Sequence, residues 1–437
     1  MEDHSPSLDV APARKSGKAV IAALVAAVVM VAGGVAAVIF WPEREKPATA
    51  VPESAPTRPP TPFEESLALL QTQAEALSGG DEKGWLALVD PKQPKLVTRY
   101  RMIFRNLRAL GVGHAEYHAD PDDRSTAAKV VLSASLGYCF KGGACPGWRA
   151  SYSQGQPKLD QNLTLSRRGD GYVITGMTYN GDNSPLMTPP WASQTLSFAT
   201  GKRVVVAGPS SQKKHLKTIL KIAEKAAVVT DRYAGLVGNK QGSRYRIYLA
   251  DDKAWKSWYG GNSIGYAIGY AIPLNSAGTD VVLRTRKVLQ EQDVSMVVQH
   301  ELAHVVTLAG LSTRDTDDDQ WLVEGIAEYI GAYPKKPQNT YSRYVLQDSF
   351  RKRGAPKSIA VPSLTENAGD LTVSTLYAMG HYASACMAAQ YGEAKLMSFA
   401  DLVLRKGIKP AEASPQAFGK PFKTVDKACL SWIKSRV

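Results

Sequence analysis

The sequence predicts an α+β protein in which two folded domains follow a single transmembrane helix. Three observations carry this prediction: an uncharged apolar stretch at Ala19–Trp41, helices followed by alternating strands from Phe63 onward, and a Pro189-Pro190-Trp191 break before a second mixed segment. At 437 residues the chain exceeds one ordinary domain. Its 44% apolar and 21% charged residues are ordinary for a protein with a substantial core.

Residues 1–18 are polar and end in Arg14, Lys15 and Lys18, the pattern of a cytoplasmic tail. Ala19–Trp41 is long enough to span a bilayer and places Trp41 at the interface. A cleaved signal peptide has a shorter apolar core, which favours a retained anchor; Ala48-Thr49-Ala50 keeps a cleaved, released form open as the alternative. Basic residues before the span, against the mixed Glu43-Arg44-Glu45-Lys46 after it, place the amino end in the cytoplasm and the remainder outside the cell membrane. Residues 42–62, rich in Pro, Ala, Thr and Glu, read as a semi-extended linker.

Residues 63–188 form the first predicted domain. Apolar residues recur at helical spacing over Phe63–Leu77, Asp81 caps a second helix reaching Val89, and Leu96–Leu110 is a third. Alternating segments at Ala127–Leu136, Gly147–Tyr152, Leu159–Ser166 and Tyr172–Tyr179 read as strands. Three helices followed by a curved antiparallel sheet resemble the cone-like nuclear-transport-factor fold, a likeness that fixes no function. His114 and His118 are four apart, but the nearby Gly111, Gly113 and Pro121 point to an extended segment, so they read as surface or packing residues.

Residues 189–437 form the second. Strands are expected at Lys202–Ala207, Tyr245–Ala250, Gly265–Leu274 and Asp280–Thr285, with helices at Lys213–Leu236 and Asp251–Tyr259. Asp293–Ala309 then reads as a helix capped by Asp293. On it His300 and His304 are one turn apart and project from one face, the spacing that lets two imidazoles share an ion. Glu301 is offset around the helix, where its carboxylate reaches a metal-activated water rather than the metal. Two imidazoles and one carboxylate suit Zn2+, leaving a fourth position open. Asp319 begins a second helix, on which Glu324 supplies a third ligand. Glu328, one turn on, is placed to accept the spare ring N–H of a ligand histidine.

Four cysteines, Cys139, Cys145, Cys386 and Cys429, fit two disulfides in an oxidising compartment or, equally, four unpaired buried thiols. Cys139 and Cys145 close a short glycine-containing loop, which leaves Cys386 for Cys429. No Cys-x-x-Cys occurs, so a cysteine-rich zinc site is excluded.

His300-Glu301-Leu302-Ala303-His304 followed by Trp321-Leu322-Val323-Glu324-Gly325-Ile326-Ala327-Glu328-Tyr329 resembles the gluzincin branch of the zincin metallopeptidases, the superfamily of thermolysin. The likeness runs from about Lys202 to the carboxyl end and is most specific in these two helices. It implies a zincin domain over 189–437 in which His300, His304 and Glu324 bind zinc, Glu301 is the general base, and Glu328 supports a ligand. Thermolysin-type enzymes carry Asp where Glu328 stands. The likeness also implies a group that stabilises the tetrahedral oxyanion, and a helix at Ser374–Gly392 offers Tyr377 first and His381 second. A strand edge near the metal helix is expected to pair with substrate backbone; Asp280–Thr285 and Gly265–Ile272 are the candidates. Asp315, Asp317, Asp318 and Asp319 read as a solvated loop between the metal helices.

The expected function is peptide-bond hydrolysis by an anchored extracellular zinc peptidase acting on a peptide or protein substrate. The alternatives are a zinc-binding scaffold without activity and a zinc hydrolase of cell-wall amides. A net charge of +13, with Lys and Arg spread along the chain and no aromatic-basic module, argues against nucleic acid and for work near an anionic envelope or cell-wall surface.

Overall fold

Two sheets organise the chain in the computed structural model, which describes residues 58–149, 155–179, 188–238, 243–261, 267–274, 278–291, 293–308, 319–365 and 367–437. The first unit opens with helices α1 (Pro62–Gly79), α2 (Glu82–Ala87) and α3 (Pro94–Leu110). Thr61 and Glu64 start α1 with a reciprocal capping box, and Pro62 occupies the first turn, where no N–H is needed. Gly111, at φ 88°, ends α3 in the left-handed region, and the chain turns directly into a strand. Strands β1 (Val112–Pro121), β2 (Lys129–Phe140), β3 (Lys158–Arg168) and β4 (Gly171–Tyr179) form an antiparallel sheet in sequence order.

Here the strand expectations gain one element and need one correction. The segment carrying His114 and His118 is itself the edge strand β1: Ala115 and Tyr117 turn inward, while His114, Glu116 and His118 line the polar face. Conversely, 147–149 lies outside any strand, and the rest of that expected strand, 150–152, lies outside the described residues. In place of a sheet partner, Trp148 stacks on His118 at 3.8 Å between ring centroids.

The second unit begins with α4 (Pro190–Ser193) and continues through β5 (Ser197–Thr200), β6 (Val204–Gly208), α5 (Leu216–Leu236), β7 (Tyr245–Ala250), α6 (Asp252–Trp255), β8 (Gly269–Pro273), β9 (Thr279–Arg284) and α7 (Thr285–Val288). Its sheet has the order β5-β6-β7-β9-β8, with β6, β7 and β9 parallel and both edge strands antiparallel. Helices follow: α8 (Val294–Thr307), α9 (Gln320–Ala332), α10 (Ser342–Arg353), α11 (Asp370–Tyr391), α12 (Glu393–Ala400), α13 (Pro410–Phe418) and α14 (Phe422–Lys434).

The α+β expectation is therefore wrong, and the architecture is mixed α/β. Val204–Gly208 and Tyr245–Ala250 are buried along their whole length. Continuous burial of this kind requires cover on both faces, the situation of parallel strands joined by helical crossovers such as α5. No helix among the described residues is long and apolar enough to cross a membrane, and the expected span at residues 19–41 lies outside them.

Nor does the break at Pro189 separate two cores. Trp191 is fully buried, packs edge-on to Tyr138 at 5.0 Å, and belongs to one apolar cluster joining the first sheet to Val205, Tyr248, Trp258 and Tyr270 of the second unit. At this junction Arg246 donates to Asp280 at 2.5 Å beneath Phe140, and the Tyr259 hydroxyl donates to the other Asp280 oxygen at 2.5 Å. Arg246 and Asp280 are both buried, so each charge depends on its partner.

Two disulfides complete the fold. Cys139–Cys145 closes the loop after β2, and Cys386–Cys429 ties α11 to α14.

Candidate metal centre

Helix α8 carries Val, Met, Leu and Ala around its polar residues, which lets it run through the interior. Asp293 caps it by accepting from the Met296 N–H at 3.1 Å. From Val297 to Thr307 every residue is buried, including His300 and His304 at zero exposure and Glu301 at 1%. Three helices supply the remaining groups: α9 brings Glu324 and Glu328, α11 brings Tyr377 and His381, and α10 brings Ser342.

The convergence depends on helices packed at backbone distance. A Cβ on Gly325 of α9 would stand 2.5 Å from the Gly380 carbonyl oxygen on α11, and a Cβ on Gly380 would stand 2.7 Å from the Gly325 Cα. On the other side of α9, a Cβ on Gly331 would press on the His300 Cβ at 3.0 Å. Next to His300, the Gln299 amide donates to the carbonyls of Ile330, Gly331 and Tyr333 at 2.6, 3.2 and 3.0 Å. It thereby pins α8 to the end of α9 and satisfies carbonyls that have no partner within that helix.

Three donor atoms meet as a result. His300 Nε2 and His304 Nε2 are 3.0 Å apart, and Glu324 Oε2 lies 3.3 Å from the first and 3.4 Å from the second. A tetrahedral ion with bonds of roughly 2.0–2.1 Å sets its ligands about 3.3–3.4 Å apart, which the two edges to Glu324 match, while the edge between the imidazoles is shorter at 3.0 Å. Among the described residues this is the only set of three such side chains close enough to hold an ion.

Charge makes the same demand. Burial alone would drive the His300 imidazole neutral, but the Glu324 and Glu328 carboxylates beside it outweigh burial and raise its pKa to about 10. Burial likewise opposes ionisation of Glu324, yet the two imidazoles hold its pKa down at about 2. His304 is pushed down, chiefly by burial. The pocket thus keeps its carboxylate charged and recruits a proton as counter-charge, and a cation bound by the three donors would serve in that proton's place.

Glu328 Oε1 lies 3.0 Å from His300 Nδ1, the position that orients a ligand imidazole. Its second oxygen is 3.9 Å from His381 Nδ1, which in turn is 3.0 Å from the Ser342 hydroxyl. His381 therefore stands behind Glu328 rather than over the donor triangle, and burial lowers its pKa to about 4. Tyr377 is the nearer of the two oxyanion candidates, with its ring centroid 6.2 Å from that of His300.

Glu301 sits under the edge strand. A Cβ on Gly269, at the start of β8, would overlap the Glu301 carboxylate, so the lack of a side chain there makes room for it. Of the two strand candidates, β9 is interior to the sheet and β8 is the edge. Asp315, Asp317 and Asp318 lie outside the described residues.

Gln299, Ser342, Gly269 and the Gly325–Gly380 crossing were not singled out from the sequence. Each acts on a residue distant in the chain, and no periodic pattern marks such a contact. The Gly within Trp-Leu-Val-Glu-Gly was the one available hint. The protein-family models include none that matches this chain, and no curated protein matches it either.

Proposed function

We propose that this chain is a zinc metallopeptidase of the gluzincin type. The observation that carries the reading is the donor triangle of His300, His304 and Glu324, with a fourth buried group, Glu301, beside it and outside the ligand set. Two imidazole nitrogens and one carboxylate oxygen suit zinc better than a hard, all-oxygen cation. Bound there, zinc supplies a Lewis acid that acidifies water and polarises a carbonyl.

The chain's own residues do the rest. Glu301 accepts a proton from the attacking water and returns it to the leaving amine. Glu328 holds the His300 ring in the tautomer that leaves Nε2 free to ligate. Tyr377 is assigned to the oxyanion, and His381 with Ser342 supports Glu328 from behind. The strand at the sheet edge, β8, is assigned the pairing with an extended peptide, which favours a peptide over a compact substrate. Two disulfides favour an oxidising compartment outside the cytoplasm.

Casein hydrolysis by the purified chain tests the activity. It is expected to stop on chelation and return with zinc; hydrolysis indifferent to the chelator would refute the proposal. Two variants then separate the supporting roles. Glu328→Ala should weaken zinc binding by about 10–100-fold, read by competition against a chromophoric chelator. Gly269→Ala should keep zinc and lose up to about 10²-fold in kcat, because the displaced carboxylate no longer meets the water. A Gly269→Ala enzyme of unchanged rate would show that the glycine does not position Glu301.

A further inference from the structure

The outer face of α5 carries charge that the rest of the molecule does not neutralise. Lys213 and Lys214 precede the helix, and Lys217, Lys221 and Lys225 follow at intervals of four. All five are exposed, and among the described residues none of them makes an ion pair or a side-chain hydrogen bond. The nearest acids are engaged elsewhere. Glu224 turns to accept from the Arg203 and Val204 N–H groups at 2.9 and 2.8 Å, and Asp231 holds the Arg203 guanidinium at 2.8 Å.

Like charges four apart on a helix cost stability, so a row of them is a strained arrangement when the protein is alone in water. At the helical period, Lys217, Lys221, Lys225, Val228, Arg232 and Leu236 fall within an arc of about 100°. Val228 is 69% exposed, the highest value among the large exposed apolar side chains, and Leu236 is 40% exposed. The face is thus basic along its first half, with apolar side chains further on. Its cations are lysines, point charges suited to a diffuse anionic field rather than to bidentate pairing with single carboxylates.

We propose that this face of α5 docks on the surface of a bilayer bearing anionic headgroups. The lysines lie over the phosphates, and Val228 and Leu236 touch the apolar boundary. The contact lies on the surface, crosses nothing, and does not depend on the metal centre or on the reading of its activity.

The test is co-sedimentation of the full chain with vesicles of pure phosphatidylcholine and with vesicles containing phosphatidylglycerol, at low and high salt. Binding should be at least about 10²-fold stronger to the phosphatidylglycerol vesicles, and that excess should vanish in high salt. The triple variant Lys217→Gln, Lys221→Gln, Lys225→Gln should lose about 10²-fold of the anionic-vesicle binding, at roughly fivefold per lysine. Its melting temperature should not fall, since all three side chains are exposed. Equal binding to both vesicle types would overturn the proposal. So would a triple variant that binds like the parent, or lysine-dependent binding to a soluble acidic polymer with none to vesicles.

Discussion

Replacing Glu301 with Gln is expected to lower kcat for peptide hydrolysis by about 10²–10⁴-fold, the usual contribution of a positioned proton-transfer group. The variant should still bind one zinc per chain. The amide has nearly the volume of the carboxylate, and Glu301 lies outside the triangle of His300, His304 and Glu324, so neither the fold nor the donor set changes. What is lost is one basic oxygen at a buried position. Paired measurement of zinc stoichiometry and kcat decides the matter. A variant that loses zinc would place Glu301 among the ligands, and a variant that keeps its rate would remove it from the chemistry.

The second large effect is expected at the helix crossing. Gly380→Val introduces a side chain where the Gly325 Cα already stands 2.7 Å from the first added atom. The opposing atoms are backbone, so no rotamer change relieves the clash and α9 must move away from α11. Overpacking in a well-packed core costs typically 1–3 kcal/mol, and a backbone-on-backbone clash belongs at or above the upper end. For a domain of this size each kcal/mol lowers the melting temperature by roughly 2–4 °C. Because Glu324 is the neighbour of Gly325 on α9, zinc affinity should fall together with stability. Thermal melts with and without zinc read both effects. A variant that melts and binds like the parent would show that the close approach of α9 and α11 does not position the third ligand.

The legibility of this molecule divides along contact distance. His300, Glu301 and His304 could be read because a helix of period 3.6 fixes their mutual placement within one turn. Glu324 and Glu328 followed from a second helix bearing acids one turn apart, although their approach to the first helix is a tertiary fact that spacing alone does not dictate. Tyr377 and His381 share a helix face in sequence, and only the packing of α10 separates them. The Ser342 hydroxyl and Glu328 draw His381 behind the ligand, while Tyr377 stays near it.

The fold class differs from the α+β expectation for a physical reason. Val204-Val205-Val206-Ala207 and Tyr245–Ala250 lack the alternation of half-buried strands, and that continuity was itself the mark of a parallel sheet covered on both faces. The extended segment around His114 and His118 is legible from its glycines and Pro121, and the alternation of Ala115 and Tyr117 with His114, Glu116 and His118 marks it as the half-buried strand β1. The glycines that admit close contact, Gly269, Gly325 and Gly380, leave no periodic trace at all. Their role exists only once the partner backbone or carboxylate is in place.

The most direct test of the account is anomalous X-ray diffraction at the zinc edge from crystals of the protein grown with zinc. One peak is expected within bonding distance, about 2.0–2.2 Å, of His300 Nε2, His304 Nε2 and a Glu324 oxygen together, with Glu301 outside that radius. A peak that touches the two imidazoles but not Glu324, or no peak between them at full zinc loading, would contradict it.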